Sequence, residues 1–331
     1  MSEIITVMGP VGTGSLKAVQ CHEHLAISKG KSYEINPALC IDDAEKSAEE
    51  AARFREAGGQ TLIDAQPVGC NRVVSILQSA SEKAGINIIC STGFHKMAFY
   101  PEKHWIHSVT ENEFYGILRT ELLQGTYSDE MADSLCSAED LTAAGPDDRN
   151  GLQTKAGIIK IAYDREELSP RYRTLFEATA RCAAETDCCV MIHVEGGTDP
   201  RRLQKFFTER GINPQRLMFC HMDRACADLE KHFGIAEEGS YLEYDTIGRF
   251  KYHSDEEEIG IFREMIRRGY LNKLLYSLDT TRERLKSYNP DGIGLDYILK
   301  IFNRKMMDSG ISAEELNAIS VLNPATYLSR I

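Results

Sequence analysis

The sequence predicts a (β/α)8 TIM barrel. Three observations carry that reading: eight short apolar runs, eight helical patterns, and their strict alternation along 331 residues. Apolar, β-branched runs fall at Lys17–Cys21, Thr61–Ala65, Asn87–Cys90, Gly157–Ala162, Cys188–Val194, Arg216–Cys220, Ser240–Tyr244 and Lys273–Leu278. Helical periodicity follows each of them in turn, at Asp42–Ala57, Cys70–Ala84, Thr110–Leu123, Pro170–Glu185, Asp199–Arg210, Ala225–Phe233, Ser254–Arg268 and Asp291–Met307. Strands buried on both faces read as continuous apolar runs, and these mostly do. Eight such units in series suit a closed barrel better than an open sheet. A short β-hairpin is expected before the barrel, turning at the glycines of Gly9–Gly14. An extra C-terminal helix, Ala313–Ser320, is expected to end at the Asn323-Pro324 stop and to pack across the barrel floor or flank. The third unit carries a long polar insertion, Tyr127 to Gln153, read as a loop or small helix. No linker or internal repeat interrupts the series, so residues 1–331 are expected to form one domain.

Composition narrows the function classes. At 42% hydrophobic and 27% charged, the chain has ample material for a large core. A formal charge of −12 argues against a nucleic-acid partner, because binding phosphate chains needs a basic face. No stretch has the apolar length of a membrane span. The opening MSEIITVMGPVGTGSL lacks a basic start and a continuous apolar run, so it does not read as a signal peptide. The ten cysteines are scattered, several of them inside strand-like runs (Cys90, Cys189, Cys220), without zinc-knuckle spacing. Reduced, buried thiols in a cytoplasmic protein are the simplest account. The glycines from Gly9 to Gly14 have P-loop spacing, but Ser15-Leu16 stands where that motif needs Lys and then Ser or Thr. They read as a turn.

The polar residues that interrupt this frame are the informative ones. His22 and His24, in VQCHEHL, sit at the end of the first strand, where positions i and i+2 share a face. Lys160 lies inside the run Gly157-Ile-Ile-Lys-Ile-Ala, His193 ends strand five, His221 ends strand six, and Asp279 ends strand eight. All fall at or near the C-terminal ends of barrel strands, the face where such enzymes build active sites. Each has a bland explanation. A strand-end histidine is often only a hydrogen-bonding residue, Asp279 suits a helix N-cap, and Lys160 has the option of pairing with a buried carboxylate. Six coincidences on one rim are harder to explain separately. An ammonium among isoleucines is costly, which favours the neutral amine. Beside a metal, such an amine can take up carbon dioxide as a carbamate whose two oxygens bridge a pair of ions. His95, His104 and His107 lie off this pattern and are not read as ligands.

The segments CHEHL, GIIKIAY, HVEGG, CHMDR, SLDTTR and the C-terminal NPATYL together resemble the phosphotriesterase family of the amidohydrolase superfamily, over nearly the whole chain. The HMDR form resembles the phosphotriesterase-homology and lactonase-like branches. The resemblance implies two divalent metal ions, zinc first and manganese or cobalt as alternatives. It places His22, His24 and Asp279 on the buried ion, and His193 and His221 on the exposed one. Carboxylated Lys160 and a hydroxide would bridge them, and Asp279 would carry the proton from nucleophile to leaving oxygen. Dimers are common among such relatives, so a homodimer is compatible with the resemblance, although the sequence shows no interface patch.

Substrate clues are concentrated after strands seven and eight. Lys251, Arg284 and Tyr288 belong to a basic, aromatic concentration in an acidic protein, and they suit a phosphate or carboxylate at the substrate's far end. Their bland reading is pairing with Asp255 to Glu258 and with Glu283. In lactonase-like relatives a tyrosine lies over the metals, and Tyr100 is the candidate for that place. Three functions remain open at this point. The first is a lactonase for sugar lactones, phosphorylated ones included. The second is a carboxylesterase, amidohydrolase or phosphotriesterase with the same centre, and the third is a non-catalytic binding protein.

Overall fold

The computed structural model describes residues 3–134, 137–147 and 153–329. Strands β1 (Glu3–Thr6) and β2 (Gly9–Gly12) pair antiparallel. Eight parallel strands follow: β3 (Ala18–Glu23), β4 (Gly59–Asp64), β5 (Asn87–Gly93), β6 (Ile158–Tyr163), β7 (Val190–Val194), β8 (Leu217–Cys220), β9 (Tyr241–Tyr244) and β10 (Leu274–Tyr276). They hydrogen-bond in sequence order from β3 to β10. This is the expected (β/α)8 barrel with its N-terminal hairpin. The hairpin turns at Val7-Met8, so Gly9 and Gly12 lie within β2 rather than in the turn.

Side-chain parity along the strands separates two packed layers. Val19, Ile63, Ile158, Met191, Tyr241 and Leu275 fill the barrel interior, together with Ile4 of the hairpin and Tyr327 and Leu328 from the C-terminal end. Leu62, Ile159, Ile192, Phe219 and Leu242 face the surrounding helices. Burying one such side chain contributes about 1.5–3 kcal/mol. Two positions further along the inner file the residues become polar: Lys160 after Ile158, His193 after Met191, Glu243 after Tyr241 and Ser277 after Leu275, all of them buried. The same period that packs the floor therefore aims these polar groups into the mouth.

The barrel closes where β10 meets β3. Across that seam the Asp279 N–H donates to the His22 carbonyl at 3.0 Å. The fully buried Glu23 carboxylate accepts from the N–H groups of Leu278 (2.8 Å) and Thr280 (3.2 Å).

Several boundaries differ from expectation. The second helix, Val74–Ala84, begins four residues beyond Cys70, because Gly69 and Asn71 take the left-handed conformation and break the helical path. A one-turn helix, Met222–Ala225, follows β8, and the sixth helix runs Leu229–Glu237 from its Asp228 cap. Gly294, at φ +75°, delays the eighth helix to a π turn at Ile298–Phe302 that continues into Asn303–Asp308. Asn323-Pro324 does not stop the last helix. Ala313–Asn317 passes through a π turn, Ala318–Leu322, into Asn323–Leu328, where Pro324 occupies a first-turn position that needs no N–H. The insertion contains two short helices, Asp129–Ser134 and Ala138–Ala144, while its residues 135–136 and 148–152 lie outside the described residues. Asp129 anchors it by pairing with the buried Arg72 (2.9 Å), whose guanidinium also grips Glu121 at 2.8 Å.

Candidate metal centre

The pairing register of β3 with β4 shifts between Gln20 and Glu23. Cys21 packs into the inner layer, and its neighbour His22 also turns inward, which is the re-aiming a bulge produces. His22 Nε2 stands 3.3 Å from Lys160 Nζ and 3.6 Å from Asp279 Oδ1, and His24 Nε2 is 3.5 Å from the same oxygen. Separations of 3.5–3.6 Å are long for a hydrogen bond. They suit the edge of a tetrahedron, about 3.4 Å for ligand bonds of about 2.0–2.2 Å. His24 Nδ1 is buried without a hydrogen-bond partner. The donor set His22, His24 and Asp279 thus fits a divalent ion.

Carboxylates behind the histidines fix which nitrogen faces forward. His22 Nδ1 lies 3.0 Å from Asp245 Oδ2, and His221 Nδ1 lies 2.7 Å from Asp245 Oδ1. Each ring donates there and turns the Nε2 lone pair toward the mouth. His193 makes the opposite choice, with Nε2 3.3 Å from Glu195 and Nδ1 2.8 Å from His221 Nε2. Burial is the main reason why His193 is pushed down to about 3 and His221 well below its ordinary value. Neutral imidazoles with a shared front are suitable ligands for a second ion. Burial and Lys160 also depress His22, but hydrogen bonds to Asp245 and Glu243 outweigh them and raise it to about 9.

Asp279 is the charged acceptor of the centre. Burial pushes its carboxyl up, but Arg249, His24 and His22 hold it well below the usual carboxylate range. Arg249 lies 3.1 Å from Oδ2 and also bonds the Asp279 carbonyl. Asp279 (φ +48°) and His221 (φ +61°) both adopt the left-handed conformation, uncommon for non-glycine residues and typical of strained functional turns.

These groups open into a cavity of about 130 Å³ lined by His22, His24, His193, His221 and Asp279, with Gln66, His95, Lys96, Phe99 and Arg224 around them. Lys160 lies at the base of the group, fully buried. The structure does not bring the four sequence-derived substrate residues into this lining. Tyr100 is buried, its hydroxyl accepting from the His95 N–H at 2.8 Å. Lys251 is exposed, with Nζ 4.8 Å from the Tyr252 ring centroid. Arg284 donates to the Ile247 carbonyl at 2.6 Å, and burial with the like charge of Arg249 lowers it to about 9. Tyr288 uses its hydroxyl on the Asp43 backbone and on Ser47. His95 lines the cavity, whereas His104 bonds the Ala132 carbonyl.

Sequence reasoning missed Glu23, Asp245, Glu195, Arg249 and Arg224. Asp245 was open to the rule that found Asp279, since it too follows the last residue of a barrel strand. Behind it, Asp223 Oδ2 accepts from the Thr246 N–H (2.7 Å) and hydroxyl (2.6 Å). His253 Nε2 lies 2.9 Å from Glu258 and 3.7 Å from Asp223.

With this geometry in place, the comparisons with known proteins are specific. The phosphotriesterase family model matches residues 2–328. An N-acetyltaurine hydrolase of Xenopus tropicalis is 26% identical, covering 99% of this chain and 98% of its own. A phospho-furanose lactonase of Mycoplasmopsis agalactiae is also 26% identical, over 98% and 90%. Among solved structures, an amidohydrolase from Mycoplasma synoviae superposes with a TM-score of 0.89 at 24% identity, covering 100% of this chain and 92% of its own. A lactonase from Listeria monocytogenes gives 0.86 at 24% identity, covering 99% of each.

Proposed function

The chain belongs to the phosphotriesterase family, and from that premise we propose that it is a binuclear metal-dependent hydrolase that opens lactones, sugar lactones and their phosphorylated γ-lactones first among them. The observation that carries this reading is the convergence of His22, His24, Lys160 and Asp279 beside the facing pair His193 and His221 at one mouth of the barrel. His22, His24 and Asp279 would hold one ion, and His193 and His221 the other. Lys160, carboxylated by carbon dioxide, would add an anionic ligand to the set. Bound there, two divalent ions supply a water acidic enough to attack at neutral pH and a Lewis acid for the substrate carbonyl.

The chain's own residues do the rest. Asp279, kept ionised by Arg249, accepts the proton of the attacking water and returns it to the alkoxide oxygen that leaves as the ring opens. Asp245 and Glu195 hold the imidazoles in the tautomers this requires. The lactonase relative supports an ester as the bond broken, and the N-acetyltaurine hydrolase relative supports an amide as the second reading. Among the described residues no helix is long and apolar enough to cross a membrane. The nine described cysteines are all buried, which supports a cytoplasmic setting.

The test is proton release by zinc-, manganese- or cobalt-loaded protein on paired γ-lactones with and without a terminal phosphate, beside N-acyl amino sulfonates. Turnover of lactones above amides is expected. Amide hydrolysis with silent lactones would install the second reading, and silence on both with two metals bound would overturn the first.

A further inference from the structure

Besides its histidines, the cavity is lined by two cationic side chains, Lys96 and Arg224. Lys96 is neutralised by Glu195 at 2.9 Å. Arg224 has no such partner. Its Nε is buried without a hydrogen bond, and its guanidinium makes no ion pair among the described residues. Arg249, the next cation, is already committed to Asp279.

Nor is Arg224 a loose surface charge. It lies in the one-turn helix Met222–Ala225, three residues beyond His221. Its N–H is pinned by the His221 carbonyl (3.2 Å) and by Asp223 Oδ1 (2.9 Å). The Tyr252 ring stands 5.6 Å from the guanidinium carbon, so an aromatic face covers one side. A planar fork with one side stacked and its donors unused is prepared for a carboxylate-like group. Asp279, Asp245 and Asp223 act on its charge across space, and none of them forms an ion pair with it.

We propose that Arg224 is the specificity-determining residue of this cavity, holding a carboxylate or sulfonate that the substrate carries close to the scissile bond. The inference rests on the hydrolase reading and deepens it. It places the recognised charge inside the cavity, whereas Lys251, Arg284 and Tyr288 lie outside its lining.

The experiment compares wild type, Arg224→Gln and Arg224→Lys on a γ-lactone bearing a ring carboxylate and on its neutral methyl ester, at matched metal content and with circular dichroism to confirm folding. Arg224→Gln should raise KM for the charged lactone by about tenfold or more, the worth of one lost charge-assisted pair. It should leave the ester nearly unchanged, and Arg224→Lys should recover part of the loss. Equal losses on both lactones, or no loss on either, would overturn the assignment. Calorimetric titration with methanesulfonate separates the two hypotheses. If wild type turns over no ester or amide, the hydrolase reading falls. Weaker methanesulfonate binding by Arg224→Gln would still uphold the anion site, and equal binding would remove it.

Discussion

Asp279 meets His22 twice: its N–H donates to the His22 carbonyl at 3.0 Å, and its Oδ1 stands 3.6 Å from Nε2 of the same residue. Closing the barrel and placing the ligands are therefore one event, since the bond that joins β10 to β3 also fixes the distance between two donors. Asp279→Asn keeps the backbone bond and the side-chain shape but removes the proton acceptor. Its melting temperature should stay within a few degrees of wild type while kcat falls by about 10²–10⁴-fold at equal metal content. Undiminished kcat would take Asp279 out of proton transfer.

Asp245 holds one histidine of each half-site, His22 on Oδ2 and His221 on Oδ1. An asparagine can accept from only one ring and presents an N–H₂ to the other, which must then turn its proton toward the metal. Asp245→Asn should weaken metal binding about 10–100-fold, as measured by competition with a chelator. Wild-type affinity would show that the tautomers are set elsewhere.

How much of this was legible beforehand follows from period and position. The strand alternation was readable because inward and outward residues are both apolar in a buried parallel strand, and the histidines, Lys160 and Asp279 stood out against those runs. The Asn323-Pro324 stop failed because a π turn delivers Pro324 to the start of a new helical segment, where proline is harmless. Glu23 and Asp245 escaped notice for another reason. Each stands at a strand end, the position that singled out Asp279, but its value depends on partners 255 and 24 positions away, without which it looks like a solvated carboxylate. Lys251, Arg284 and Tyr288 were chosen by charge concentration, which is blind to bonds such as Tyr288 to Asp43 that already occupy the side chain.

Lys160 provides a chemical test independent of turnover. Its Nζ faces His22 Nε2 at 3.3 Å inside a fully buried strand. Protein loaded with metal in ¹³C-bicarbonate should show a carbamate carbon resonance that Lys160→Met lacks. The variant should also bind less metal, and a short carboxylic acid such as propionate should restore part of its activity. Absence of the resonance in fully metallated wild type would mean that the lysine stays an amine.

The group behind the centre predicts a pH-dependent stability. Burial depresses His253, but its bonds to Asp223 and Glu258 outweigh that and raise it to about 10 from an ordinary 6.5. Burial, with the Asp223 charge, raises Glu258 to about 8 from 4.5. A histidine whose folded value exceeds its unfolded one stabilises fully below the unfolded value and loses that contribution as pH rises toward the folded one. The buried glutamic acid acts in the same direction, since ionising it in the fold becomes a penalty between its two values. Wild type should therefore melt above His253→Gln by its widest margin near pH 6, and the gap should close between about pH 6.5 and 10. Thermal melts of both proteins across that range measure it. A gap independent of pH would mean that His253 supports the fold by packing alone, with no stabilising charge in the Asp223–His253–Glu258 group.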